Sequence, residues 1–372
     1  MYTIPKPSKR VLDDHANDLL ARIKTQVERF LPDYKHESIT ILNNKKIKLE
    51  AKVSKGSITE WFLKKLHNDA YLRNLLTGDM TCLLGVLAEL ENERVSRRIL
   101  PEYLQKSMTQ DMYEKKCGKL KGKKVKRVYD CFNDILYNIF VVNGYAYQKT
   151  IGGKKDVVFD KSKHVEELGL RICPYCGRAF VYGVTVGGTH VKPQIDHFLP
   201  KRKYPFFALS YFNLIPVCST CNMKDCKGEN DPIVTSPARP FRMIYPYEFK
   251  DGDIQFKYGL HGANYNQDKN FSVSIDYKGK SELEKGSRDI MKLDEFYAHH
   301  NHEAASIYRQ LMILKSKAVD YYTNFKVPKT KLRVTPSLLL GFTLNESSSR
   351  IELLYKFKKD IYLLLVDDVY KL

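Results

Sequence analysis

Apolar residues recur at helical spacing through much of the first hundred positions. Leu12, Leu19, Leu20, Ile23, Val27, Phe30 and Leu31 form one stripe, which predicts a helix over 11–31. Similar runs predict helices over 57–76, 80–96 and 103–116, with Trp61 in the expected core. Between the first two, 39–49 reads as a short hairpin turning at Asn43-Asn44. Another helical run covers 128–140. Further on, 244–249 and 254–258, joined by Asp251-Gly252, read as a hairpin, and 271–277 as a further strand. From 281 the pattern is mostly helical, interrupted around 327–337. The predicted class is therefore α+β, with mostly helical flanks around a small central module. Thr150 to Lys163, with Gly152-Gly153 and mixed charges, is the best boundary signal. It gives a helical region over 1–165, a central module over 166–235, and a hairpin followed by helices over 236–372. No internal repeat or low-complexity tract is visible.

A chain of 372 residues is long enough for two or three domains, each with its own core. Its 62 Lys and Arg against 43 Asp and Glu leave a net charge of +19. Such a surplus suits a polyanionic partner or, alternatively, a merely basic solvated surface. The densest run is 115–127, with eight Lys or Arg and no acid, including Lys121, Lys123, Lys124, Lys126 and Arg127. Gly118 and Gly122 argue against a regular helix there. Three readings stay open: a phosphate-gripping loop, a solvated linker, or a nuclear import signal. The first ten residues do not read as a secretory signal, and no run reaches the roughly 18 apolar residues of a membrane span. A soluble cytoplasmic protein with no membrane role is expected.

Cysteine usage changes the picture. Four of the eight cysteines form two Cys-x-x-Cys pairs, Cys173/Cys176 and Cys218/Cys221. In a reducing compartment, two such pairs flanking a compact insertion point to a tetrahedral zinc more than to a redox pair. Four protein thiolates fill the ion's coordination, so the zinc is expected to be structural. Cys226 falls outside the pattern and reads as a buried thiol.

The insertion carries Asp196-His197 at the end of an expected strand, Asn213 in Tyr-Phe-Asn-Leu-Ile-Pro, and Asn222 directly after Cys221. Ser219 or Thr220 would cap a helix ending at Gly228, placing Asn222 in its first turn. Imidazole titrates near neutrality and suits a general base; a carboxylate and an amide oxygen suit a hard divalent cation. Taken singly, Asp196 and Asn222 also read as caps, His197 as a core histidine, and Asn213 as the start of an Asx-turn. Lys201, Arg202, Lys203, Lys224 and Lys227 would make a phosphate track, or simply solubilise the module. His190 reads as a loop residue or an extra ligand. Glu295, His299 and His302 would share a helix face, with a packing or partner role preferred to a second metal site.

The order Cys-x-x-Cys, Asp-His, Asn-Leu, Cys-x-x-Cys-Asn resembles the HNH, or His-Me finger, endonucleases whose ββα-metal motif is clasped by a four-cysteine zinc. The resemblance covers about 60 residues. It implies His197 as general base, Asn213 as the residue bracing its loop, and Asp196 with Asn222 as ligands of one catalytic Mg²⁺ or Mn²⁺. It also implies a DNA substrate, with RNA open, and products ending in 5′-phosphate and 3′-hydroxyl. Chains of this kind occur in bacterial anti-phage defence, beside an ATPase partner; a homodimer would also suit cutting of both strands. The competing expectation is a non-catalytic zinc module that binds nucleic acid and positions a partner protein.

Overall fold

A computed structural model describes residues 2–31, 38–39, 49–100, 104, 126–129, 131–151, 154–186, 189–233, 243–262, 267–277, 286, 288–324, 341–342, 344 and 352–370. The protein is α+β, and its described strands form one three-stranded and four two-stranded sheets. The chain divides into two compact units. A helical unit contains Pro7–Lys161 and Ile195–Ile215; a cysteine unit contains Met1–Lys6, Ser162–Gln194 and Pro216–Leu372.

Helices of the helical unit begin where short polar side chains cap them. Ser8 accepts from the Val11 amide at the start of Lys9–Glu28, and Ser57 from Glu60 at the start of Ile58–His67. The run expected as one helix over 57–76 is two. Asn68 takes an extended conformation (φ −76°, ψ 124°), ends Ile58–His67, and accepts from the Tyr71 amide to start Asp69–Thr77. Met80–Ser96 follows, capped by Asp79. Leu19, Ile23, Val27, Phe62, Leu63, Leu72 and Leu75 are buried along their inward faces. Phe62 reaches Phe132 at 5.6 Å and Phe206 at 5.2 Å between ring centres, which fixes the loop carrying Phe206 against the helices. Trp61, expected in the core, is only half-buried, with Lys65 Nζ 4.9 Å from its ring centre.

The arms of the expected 39–49 hairpin pair antiparallel, Ser38 with Glu50 and Ile39 with Leu49; its Asn43-Asn44 turn lies outside the described residues. The helix expected over 103–116 also lies outside them, apart from buried Leu104. The run 128–140 is helical only in part. Lys126–Tyr129 is a strand parallel to Leu49–Lys52, followed by the helix Phe132–Tyr137 and a π-helical stretch, Asn138–Tyr145. Its wider turn shows in the Ala146 amide, which donates to Val141 O at 2.8 Å, five residues back. Gly144 bends the stretch (φ −111°, ψ −105°), and a Cβ there would come within 2.8 Å of Leu209 Cδ1. Gln148–Ile151 and Lys154–Val157 then form a hairpin.

In the cysteine unit, the hairpin expected from 244–249 and 254–258 is displaced. Residues 244–249 form turns, and Gln255–Leu260 pairs instead with Phe271–Asp276. Tyr245, Tyr247 and Phe249 are buried all the same, which explains why their alternation imitates a strand. Helices Leu293–Tyr297, Asn301–Asn324 and Tyr355–Tyr370 complete the unit. Phe256, Tyr297 and Phe357 meet with ring centres 4.4–5.6 Å apart.

A buried ion pair ties the last helix to this hairpin. Lys356 Nζ lies 2.9 Å from Asp360 Oδ1, while the Phe256 amide donates to Asp360 Oδ2 at 2.9 Å. Burial pushes the Asp360 carboxyl up, and Lys356 opposes that push. Lys356→Met strands the carboxylate and is expected to destabilise the protein by about 3–5 kcal/mol at neutral pH. Because the folded-state pKa of Asp360 is raised, the penalty should shrink as pH falls through the carboxylate range. Urea unfolding at pH 7 and pH 4 checks this; an equal penalty at both would refute the stranded-charge account.

Candidate functional site

Asp196-His197 ends the strand Gln194–His197, which pairs with Leu214–Val217. Both side chains are buried, Asp196 at 3% exposure and His197 at 4%. His197 Nε2 lies 3.1 Å from the Ala208 carbonyl oxygen, which can only accept. The ε-protonated tautomer follows, and Nδ1 becomes the basic nitrogen of the neutral ring.

The loop after His197 is tied down at several points. Asn213, fully buried, accepts from the Leu199 amide at 2.7 Å and donates to Leu199 O at 3.2 Å and Phe207 O at 3.0 Å. Ser210 Oγ donates to Leu75 O at 2.7 Å, and Asn133 Nδ2 to Arg202 O at 3.2 Å. Asn213→Ala would leave the Leu199 amide and two carbonyls short of partners, at a cost of about 1–3 kcal/mol per unsatisfied buried group. The expected result is a lower urea midpoint, with Asn213→Asp recovering part of the loss through its retained acceptor. A wild-type midpoint for Asn213→Ala would remove the amide from the loop's support.

Tyr145, at the end of the π-helical stretch, presents its ring to His197 at 4.5 Å between centres and 74° between planes. Burial pushes its phenol up, and the charge of Asp196 adds to the shift. Lys161 Nζ lies 5.0 Å and Lys201 Nζ 5.8 Å from the centre of the same ring. Sequence spacing gave no sign of Tyr145 or Lys161, because only the folded chain brings 145, 161 and 197 together.

In the cysteine unit, Cys173, Cys176, Cys218 and Cys221 are buried, with sulfurs all within 4.8 Å of one another. Among the described residues they are the one converging group of such ligands. Cys176 and Cys218 sulfurs lie 3.8 Å apart, matching the edge of a tetrahedron with ion–sulfur distances of about 2.3 Å. Burial pushes the Cys173 thiol up, while hydrogen bonding from Cys173 pulls Cys176 down. Four buried sulfurs cannot all carry charge together without a cation, so the donor set fits zinc. The Arg178 amide donates to Cys176 Sγ at 3.4 Å, and Tyr297 Oη donates to Cys176 O at 2.5 Å. The Arg178 guanidinium lies 4.3 Å from the Phe296 ring centre.

The expected helix after Cys218 is instead a run of turns. The Asn222 amide donates to Ser219 O, Cys226 to Met223 O, and Lys227 back to Cys221 O at 3.1 Å. These bonds wrap the backbone around the sulfurs, and Gly228 closes the run at φ +36°, where a Cβ would meet Met223 O at 2.8 Å. Asn222, partly exposed, donates from Nδ2 to Gln194 Oε1 at 3.0 Å, so its amide oxygen takes no part in that bond. Lys227 is fully buried, and that removes it from any surface track of cations.

Of the other basic residues singled out, Arg202 and Lys224 are exposed, and Lys201 and Lys203 are partly so. Lys126 and Arg127 lie in a strand opposite Leu49 and Glu50, whereas Lys121, Lys123 and Lys124 lie outside the described residues. His190 lies opposite Thr185 in a short hairpin. His300 and His302 each place Nδ1 2.9 Å from a Glu303 oxygen. No described helix is long and apolar enough to cross a membrane.

No protein-family model matches the chain, and no solved structure matches it. Part of the chain is 38% identical over 79 residues to protein ea31 of Escherichia phage lambda, covering 21% of this chain and 22% of ea31. Part is 33% identical over 82 residues to Septu protein PtuB of Bacillus thuringiensis, covering 20% of this chain and 31% of PtuB. The chain thus matches under a third of the length of either relative, and is a distant partial homologue of both.

Proposed function

We propose that the protein is an HNH-type endonuclease that hydrolyses DNA phosphodiester bonds with a divalent cation and His197 as general base. The observation that carries this reading is the His197 ring, held through Nε2 on a main-chain carbonyl so that Nδ1 is the proton acceptor. His197 Nδ1 takes a proton from the attacking water as its oxygen bonds to phosphorus. The bond to the 3′ oxygen breaks, and that oxygen is protonated by solvent, leaving 5′-phosphate and 3′-hydroxyl ends. Asn213 keeps the loop and hence the base in place. Asp196 and, by the resemblance, Asn222 offer hard oxygens that fit Mg²⁺ or Mn²⁺, which when bound would neutralise charge developing on the phosphate. Lys201, Arg202 and Lys203 contact the DNA backbone.

The four cysteines hold a structural zinc. The partial likeness to a Septu protein supports a setting in anti-phage defence, where an ATPase-like partner protein or a second copy completes the machinery. The test is cleavage of supercoiled plasmid by purified protein with Mg²⁺ or Mn²⁺. Nicking or linearisation supports the reading; intact plasmid and intact linear duplex in both metals would overturn it for the isolated chain.

The second reading, a non-catalytic zinc module that binds nucleic acid and positions a partner, draws on the burial of Asp196 and His197. It predicts tight DNA binding with no metal-dependent cleavage.

A further inference from the structure

The helix Ile58–His67, its terminal cap Asn68 and the start of the next helix border a cleft of about 440 Å³, lined by Trp61, Lys64, Lys65, Asn68 and Tyr71. It lies within the helical unit and is of the size of a small-ligand site. Its charges are already paired inside the protein. Lys64 Nζ lies 2.8 Å from Glu60 Oε1, Lys65 pairs with Glu89, and Tyr71 Oη donates to Glu89 Oε2 at 2.9 Å. Lys65 Nζ is also 4.9 Å from the Trp61 ring centre and 5.2 Å from that of Tyr71, so one ammonium steadies both rings. Burial, and then the bond to Glu89, push the Tyr71 phenol up and keep it a neutral donor. Two other donors at the cleft are unused. Among the described residues, Trp61 Nε1 has no hydrogen-bond partner. Asn68 Oδ1 accepts from the Tyr71 amide at 3.0 Å, and among the same residues its Nδ2 has none.

We propose that this cleft holds one unpaired base of a single-stranded nucleic acid, stacked on Trp61, with its carbonyl edge on Asn68 Nδ2. The indole N–H lies in the plane of its own ring, so it serves the sugar-phosphate oxygens beside the stacked base. Lys65 lies over one face of the indole, and the rest of the half-exposed ring borders the cleft. Because both lysines are paired with carboxylates, the cleft suits an uncharged planar ring better than a phosphate. Two neutral donors ask for acceptors, which every base and its backbone supply. The net charge of +19 draws the polyanionic strand to the chain as a whole. The inference assumes nucleic acid on this chain, as both readings above do, and involves no cleavage.

Trp61 is the chain's only tryptophan, so its emission reports on this cleft alone. Full-length protein, with no divalent metal added, is titrated with a short oligothymidylate and with an abasic strand of equal length. The oligothymidylate should quench Trp61 saturably, and the abasic strand should quench it little. Equal quenching by both, or none by either, overturns the stacked base. Anisotropy titrations of labelled strands then test the side chains. Trp61→Leu should weaken oligothymidylate binding about five- to hundredfold, with duplex affinity unchanged. Asn68→Ser keeps a capping oxygen for the Tyr71 amide but loses the amide donor, and should weaken binding about two- to tenfold. Wild-type affinity in both variants, or an equal loss for single strand and duplex, would overturn the site. The quenching arm uses unmutated protein and decides the question even where Trp61→Leu fails to fold.

Discussion

His197→Ala is expected to abolish nicking of supercoiled plasmid, lowering kcat by about 10²- to 10⁴-fold, the usual contribution of a positioned general base. On the nuclease reading duplex affinity should hold, because the substitution removes no lysine or arginine charge. The variant loses an edge-to-face ring contact with Tyr145, worth about 0.5–1.5 kcal/mol beyond simple burial. It should therefore fold, melt slightly earlier and keep its zinc. Single-turnover cleavage and anisotropy titrations, run on the same preparation, read the two quantities apart. Cleavage persisting at the wild-type rate would remove His197 from the chemistry. Binding lost in step with cleavage would favour the module that binds without cutting.

Zinc removal should have the larger effect on the fold. Apparent binding free energies for structural zinc run to about 10–16 kcal/mol at neutral pH, more than most domains have to spare. Hydrogen bonds also join the cysteine loops to their unit: Tyr297 Oη donates to the Cys176 carbonyl, and the Leu354 amide to Gly177 O at 2.7 Å. Chelation, or Cys218→Ser, should thus loosen the core around Tyr297 and Phe357 as well as the turns at Asn222. The expected result is release of one zinc per chain, seen with a colorimetric chelator, and loss of a cooperative melting transition. Zinc-free protein that melts like the untreated sample would overturn the four-thiolate assignment.

The parts legible in the sequence were those whose chemistry is local. Two Cys-x-x-Cys pairs announce a four-sulfur cluster because a pair three residues apart can close on one ion, and the sulfurs do converge. The strand before His197 and the helix Met80–Ser96 were legible for a similar reason, since local pattern and packing agree. Elsewhere, non-local packing decided. Asn68 interrupts an otherwise continuous apolar stripe by capping the next helix, and periodicity does not register a cap inside a run. Tyr245 and Tyr247 alternate like a strand yet are buried within turns. The stretch after Cys218 has the capping residues of a helix, but its backbone bonds back toward the cysteines. The ring at Tyr145 is set against His197 across about fifty residues of sequence, and no spacing rule reaches that far.

The π-helical stretch before Tyr145 has a consequence for how this chain can tolerate change. A π-turn holds one residue more than the α-turn it replaces. Deleting one residue between 138 and 144 would let the stretch relax to an ordinary α-helix, gaining local stability. Because the wide turn closes as its extra residue leaves, Tyr145 would keep roughly its present phase about the axis and still face the imidazole. The wide turn is thus a place where the chain can lose a residue with the Tyr145 ring still turned toward His197, whereas a deletion in the α-helical residues 132–137 before it would turn that ring by about 100°.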